Sequence, residues 1–154
     1  MLKDFIESNN LSDSAEILRF QKPVSSVSDA AARTGISKTH IVKSVLFVND
    51  SLDAVLVILL GINRVSLKKI ESLSGFSKLR LATSDEVFDI TGYRVGGVPP
   101  ISIYGIKTIV DEKVFVLDKI VCGGGDEFSL LVISPSVLED SIDPEFILIG
   151  DVCE

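Results

Sequence analysis

Apolar positions change period several times along the chain, and each change predicts an element. LKDFIES, residues 2–8, sets Leu2, Phe5 and Ile6 at helical spacing and gives way to the polar turn NNLSDS. AEILRF alternates as a short strand should. VSDAAARTG has Ser28 as its predicted N-cap, alanines in its body and Gly35 as its stop. A short helical turn, SKTHIVKS, leads into the strand SVLFVN. After the turn NDS comes DAVLVILL, an unbroken apolar run of the kind found in strands covered on both faces. SLKKIESLSG predicts a helix capped by Ser66 that buries Leu67, Ile70 and Leu73 and turns Lys68, Lys69 and Glu71 outward. KLRLA is a short strand. TSDEVFDITG is a helix capped by Thr83 or Ser84, with acidic residues in its first turn, where they suit the helix dipole, and Gly92 just past its end. Further on, KTIVD, VFVLD and KIVCG read as strands, GGGDEF as a turn, SLLVIS as a strand, SPSVLEDSI as a short capped helix and EFILIG as a last strand. No linker, repeat or low-complexity tract divides the pattern. The expected fold is α+β (mixed α/β), one domain over residues 1–154, with about seven strands and four or five helices.

One stretch fits no period. GYRVGGVPPIS, Gly92 to Ser102, sets two glycines one valine away from two prolines. Gly96 and Gly97 allow positive φ or a close backbone approach, whereas Pro99 and Pro100 fix φ and lack an N–H. Two readings stand: a corner between elements, or a rigid cradle presenting the N–H groups of Gly96, Gly97 and Val98 to a ligand.

Composition narrows the classes. With 154 residues and 46% hydrophobic content, the chain can bury a sizeable core. Its most apolar region is interrupted by Asn49, Asp50 and Asp53, so it falls short of the ~20 apolar residues of a membrane span. Asp4 and Glu7 interrupt what would be the apolar core of a signal peptide, and the expected location is the cytoplasm. Cys122 and Cys153 form no CxxC or Cys/His cluster; structural zinc is not expected, and two free thiols are. Of the net charge of −7, residues 108–154 carry −9 while residues 43–107 carry +2. That balance argues against wrapping DNA or any long duplex, and leaves room for a small footprint on an RNA end.

Lys43, at the entrance to an apolar strand, either snorkels to solvent or places a partly desolvated ammonium at a pocket mouth. His40 is the single histidine, and no serine or cysteine lies in a nucleophile-elbow pattern, so serine-type acyl transfer is poorly supported. GGGDEF lacks the GK[ST] ending of a phosphate loop and reads as a hairpin turn. Asp85, Glu86 and Asp89 cluster as metal-binding carboxylates might, but their place in the first turns of a capped helix accounts for them, and no metal or cofactor is expected.

The order DAAARTGISKTHIVKSVLF, LLGINRVSLKKIESLSG, LATSDEVFDITGYRVGGVPPISIYG, VDEKVF and CGGGDEFSLLVISPSVL resembles the YbaK/EbsC family, the editing-domain family of bacterial prolyl-tRNA synthetase, over residues 28–138. The lysine-strand and Gly-Tyr-x-x-Gly-Gly-x-x-Pro blocks are the specific ones. The resemblance implies a mixed, barrel-like sheet surrounded by helices. It also implies a deacylase, freestanding or fused, that hydrolyses the ester between tRNA and a wrong amino acid. The family's functional lysine matches Lys43, and its Gly-Gly loop matches Gly96 and Gly97.

On that basis the expected partner is the tRNA acceptor end carrying a small amino acid such as Ala or Cys, with a cognate synthetase as a further partner. Lys43 is the expected catalytic residue, and Gly96, Gly97, Val98 and Pro99 the expected substrate-binding residues. Where many relatives have serine before the proline and Phe-Gly after it, this chain has Pro99 and Ile101-Ser102, and specificity is expected to be written there. A binding module without hydrolysis and a small-molecule esterase are the alternatives.

Overall fold

The computed structural model describes residues 1–154. Five α-helices and eight strands follow in the order α1 (Leu2–Ser8), β1 (Ala15–Arg19), α2 (Val27–Thr34), β2 (Val42–Val48), β3 (Ala54–Leu60), α3 (Leu67–Ser74), β4 (Arg80–Leu81), α4 (Ser84–Thr91), β5 (Lys107–Asp111), β6 (Ile120–Gly123), β7 (Ser129–Ile133), α5 (Ser136–Ser141) and β8 (Ile147–Gly150). Short 3-10 turns occupy Lys38–His40 and Glu112–Val116.

Two sheets carry the architecture. One is antiparallel, β1-β7-β6; the other is mixed, β4-β2-β3-β5-β8, with β3/β5 and β5/β8 parallel. A single bridge, Ile41 to Val121, joins them. The sheets do not close on themselves, so the barrel expected from the family resemblance is two open sheets sharing a seam. No helix is long and apolar enough to cross a membrane.

At the centre lies β3, whose Val55 to Leu59 are all fully buried, as its unbroken apolar run predicts. Strand alternation sorts these residues: Leu56 and Ile58 enter the main core of 21 buried residues, whereas Val55, Val57 and Leu59 enter a second core of nine beneath α3. The central strand therefore welds two cores together.

Local chemistry explains most boundaries and corrects several. Ser26, not Ser28, caps α2, because its Oγ accepts the Asp29 N–H at 3.0 Å. Thr83 and Glu86 form a reciprocal capping box on α4. Leu67 is 44% exposed at the start of α3, and Ile70 alone of the three apolar residues is fully buried. VFVLD is not a strand. The Asp111 carboxylate accepts the Lys113 N–H at 2.8 Å and turns the chain into a 3-10 helix that leaves Val116 82% exposed.

Candidate active site

β4 pairs with β2 only at Phe47 and Val48, while β6 bridges to this sheet only at Ile41, just before β2. Between these neighbours the edge of β2 from Val42 to Leu46 opens onto a cleft of about 340 Å³. Its other walls come from the segment before α2 (Val24 to Val27), the first turns of α4 (Ser84, Val87), Val95, Gly96 and Val98 of the Gly/Pro loop, and Val121 to Gly123 of β6. Fifteen of its 22 lining residues are hydrophobic, and none is a carboxylate. An acidic protein thus keeps its acids out of this cleft.

The Gly/Pro loop is held from three sides. Tyr93, 4% exposed, donates its hydroxyl to Ser102 Oγ at 2.8 Å and so ties the loop's ends together. Thr91 Oγ1 accepts the Tyr93 N–H at 3.0 Å and donates to the Val87 carbonyl at 2.7 Å, anchoring the loop to α4. The third support is the turn Gly123 to Phe128. Gly125 N–H donates to the Gly97 carbonyl at 2.8 Å, and Arg19 holds Asp126 at 3.2 Å. A Cβ on Gly97 would lie 2.6 Å from the Asp126 backbone nitrogen, and one on Gly123 would overlap the Val98 carbonyl oxygen. The glycines of both segments therefore serve a backbone-to-backbone contact. The cradle and the corner are the same object.

Sequence-predicted residues separate here into wall and support. Gly96, with φ of +96°, and Val98 line the cleft, and their N–H groups have no backbone acceptor. Gly97 N–H is engaged with the Arg94 carbonyl at 3.1 Å, and Gly97 and Pro99 are buried behind the wall. Pro100, Ile101 and Ser102 are likewise buried behind it, with Ile101 in the main core. Those departures from the family pattern thus lie behind the cleft's surface.

Lys43 lines the cleft, and burial lowers its pKa from the ordinary lysine value; Cys153 opposes this shift and Arg64 adds to it. Pairing opposite Leu59, it leaves the sheet on the face of the smaller core. Its neighbour Ser44, opposite Ile58, leaves on the main-core face that the cleft penetrates. Ser44 Oγ is buried and has no hydrogen-bond partner. Sequence reasoning fixed on the charge at Lys43 and missed this hydroxyl, whose signal was a lone serine inside an apolar strand.

Other candidates lie elsewhere. His40 binds the Lys119 carbonyl through Nδ1 at 2.8 Å and is not part of the cleft. Glu86 forms a forked pair with Arg80 at 2.7 and 2.9 Å, and that hydrogen bond foremost brings its pKa down to about 2. Cys122 lines the cleft as a free, buried thiol whose pKa burial raises, and Cys153 is free in the second core. Next to Val95 and Val87 of the cleft wall, Arg94 places its guanidinium carbon 4.5 Å from the Phe88 ring centroid.

Residues 21–140 match the family model of the aminoacyl-tRNA editing domain. The chain belongs to this family. Among solved structures, the hypothetical protein APE2540 is 32% identical, with a TM-score of 0.88 over 99% of both chains. A candidate trans-editing enzyme for prolyl tRNA synthetase is 26% identical, with a TM-score of 0.86 over 99% of this chain and 94% of its own. The proline–tRNA ligase of Halalkalibacterium halodurans is 31% identical over 96 residues, which are 62% of this editing domain but 17% of the ligase.

Proposed function

We propose that this editing domain is a trans-acting aminoacyl-tRNA deacylase, one domain over residues 1–154, that hydrolyses the ester joining a small amino acid to the 3′-terminal ribose. The observation that carries the reading is the cleft: small, mostly apolar, free of carboxylates, and edged by unpaired backbone N–H groups and a lysine. At about 340 Å³ it is at the small end of the ~300–1,000 Å³ range of ligand clefts, which suits an aminoacyl group and its sugar.

Ester hydrolysis asks the site for position and charge. Water adds to the carbonyl carbon, the carbonyl oxygen becomes an oxyanion, and the ribose oxygen leaves with a proton to give free amino acid and an intact tRNA end. The N–H groups of Gly96 and Val98 are the fixed donors for that oxyanion, and the bracing of the loop means that they need not reorganise as charge develops. Lys43 leaves β2 on the opposite face, so its ammonium acts from around the open edge of the strand, where it adds positive charge that favours the oxyanion and the terminal phosphate. The substrate's own vicinal hydroxyl, next to the ester, is the group that activates the water in this reading. Arg94 on Phe88 offers a cationic, planar surface of the kind on which a nucleobase stacks.

A hydrophobic cleft distinguishes neighbouring small amino acids by only ~1–3 kcal/mol per methylene, which is why a second sieve exists beside a synthetase. The test is a panel of tRNAs charged with Ala, Cys, Ser, Thr and Pro, incubated with the wild type and with Lys43→Ala. Release from one or two small amino acids, reduced ~100-fold or more in Lys43→Ala, is the expected result. No release from any tRNA would overturn the proposal, and release from simple amino-acid esters alone would make the protein a small esterase.

A further inference from the structure

An aminoacyl ester carries one group that the oxyanion donors and the lysine cannot hold: its α-ammonium, a cation with only hydrogens to donate. In many amine sites a carboxylate would do so, but none lines this cleft. Four serines do: Ser25, Ser26, Ser44 and Ser84. Ser26 is occupied with capping α2, and Ser25 and Ser84 are exposed. Ser44 alone among the lining residues has a buried side-chain oxygen without a partner. A buried hydroxyl left unpaired is costly, and its presence calls for a group to satisfy it.

The strand register adds a second acceptor. Ile41 gives its carbonyl to Gly61 across the β3 edge, and Leu46 gives its carbonyl to Ala82 across the opposite edge. By the alternation of an antiparallel ladder, the N–H and C=O of Ser44 lie on the edge shared with Leu46, in the stretch that β4 does not reach. The main-chain oxygen of Ser44 therefore faces the cleft edge, and its Oγ, covered in this structure, is one χ1 rotation from the same edge. The Lys43 side chain starts from the other face of the sheet, and no hydrogen bond joins it to Ser44 Oγ.

We propose that Ser44 is a substrate-binding residue that accepts hydrogen bonds from the α-ammonium of the ester-linked amino acid, through Oγ and its own carbonyl. This rests on the deacylase reading for the nature of the substrate. It also makes the cleft a reader of α-amino acids as a class: any small aminoacyl group carries the ammonium, whereas an α-hydroxyacyl group lacks it.

The experiment compares tRNA charged with an amino acid and the same tRNA after deamination to the α-hydroxyacyl ester, using wild type, Ser44→Ala and Ser44→Thr. Wild type is expected to prefer the aminoacyl ester about tenfold or more in kcat/KM, and S44A to lose roughly 10- to 100-fold on that ester but at most about threefold on the hydroxyacyl ester. S44T, which keeps a hydroxyl, is expected to recover most of the preference. S44A removes a partnerless hydroxyl, so its melting temperature should equal or exceed the wild-type value. Equal losses on both esters, or none on either, would overturn the proposal, as would a lower melting temperature with an unchanged preference. If wild type hydrolyses neither ester, the deacylase reading fails, and binding of a non-hydrolysable 3′-aminoacylamido-adenosine decides on Ser44 separately. Tighter binding of that amide than of its α-hydroxy counterpart, lost in S44A, supports the role; equal binding of the two overturns it.

Discussion

Gly97 shows how a single hydrogen in place of a methyl group can set the position of a cleft wall. It neither lines the cleft nor offers a free N–H, yet a Cβ there would sit 2.6 Å from the Asp126 backbone and push the Gly/Pro loop away from its brace. Gly97→Ala is expected to cost about 1–3 kcal/mol of stability, measured by urea unfolding, and to lower deacylation kcat more than KM because Gly96 and Val98 are displaced. A loss in KM alone would argue against positioning. At this scale the sequence was half legible. Lys43, Gly96 and Val98 could be picked out as residues that line the cleft because charge in an apolar strand and glycine beside proline are local signals. Ser44 could not, since its place as an unpaired hydroxyl at the cleft depends on which face of β2 it takes and on how far β4 extends. The demotion of Gly97 and Pro99 from wall to support likewise depends on residues nearly thirty positions away.

Elements were more legible than residues, since hydrophobic period and capping chemistry are local. α4 is the clearest case: Thr83, Glu86 and Gly92 mark both of its ends, and the same Glu86 ties it to β4 through Arg80. VFVLD was misread because alternation predicts a strand, whereas the fold uses the Asp111 side chain to start a 3-10 turn. The Glu86 pair has a pH signature. Its folded pKa is depressed to about 2, mainly by the Arg80 hydrogen bond, below the ordinary glutamate value of 4.5. A depressed carboxylate contributes stability that is present above the unfolded pKa and is lost as pH falls through the folded one. The contribution should be intact above about pH 4.5 and fade towards pH 2. Melting temperatures of wild type and Glu86→Gln across this window check it: their gap should be constant above pH 5 and shrink towards pH 2. A gap independent of pH would mean that the charge on Glu86 contributes nothing. Since α4 supplies Ser84 and Val87 to the cleft, acid should loosen one cleft wall as well as the helix.

Across the whole molecule, the cleft sits where two open sheets meet at one bridge, and its rigidity depends on both cores being locked to β3. The main core lies on the cleft side. The second core is closed by residues 151–154, which lie over β5 and α3 through one buried carboxylate. Asp111, fully buried at the end of β5, accepts the Val152 N–H at 3.1 Å and the Cys153 thiol at 3.1 Å on one oxygen, and the Lys113 N–H at 2.8 Å on the other. Lys69 of α3 completes the fastening, donating to Asp151 at 2.6 Å and to the Cys153 carbonyl at 2.7 Å. Burial and the Asp111 bond push the Cys153 thiol up to about 11, so it is protonated at neutral pH and acts as a donor. Asp111, Asp151 and Cys153 bring potential metal-ligating atoms within 4.8 Å of one another, but these atoms are already engaged by lysines, amides and the thiol proton. Three donors converge on two carboxylate oxygens, an arrangement that asparagine cannot reproduce: one of its two terminal atoms is itself a donor and would face another. Asp111→Asn is therefore expected to lose about 2–4 kcal/mol in urea unfolding, from one or two buried groups left unsatisfied. Deacylation per folded molecule should change less than about threefold, because Asp111 faces the second core and the cleft opens on the first. Full stability in Asp111→Asn would show that the closing segment is held by apolar packing of Val152 alone. A large loss of activity in the folded variant would show that the two cores are coupled through β3 more tightly than their separation by the sheet implies.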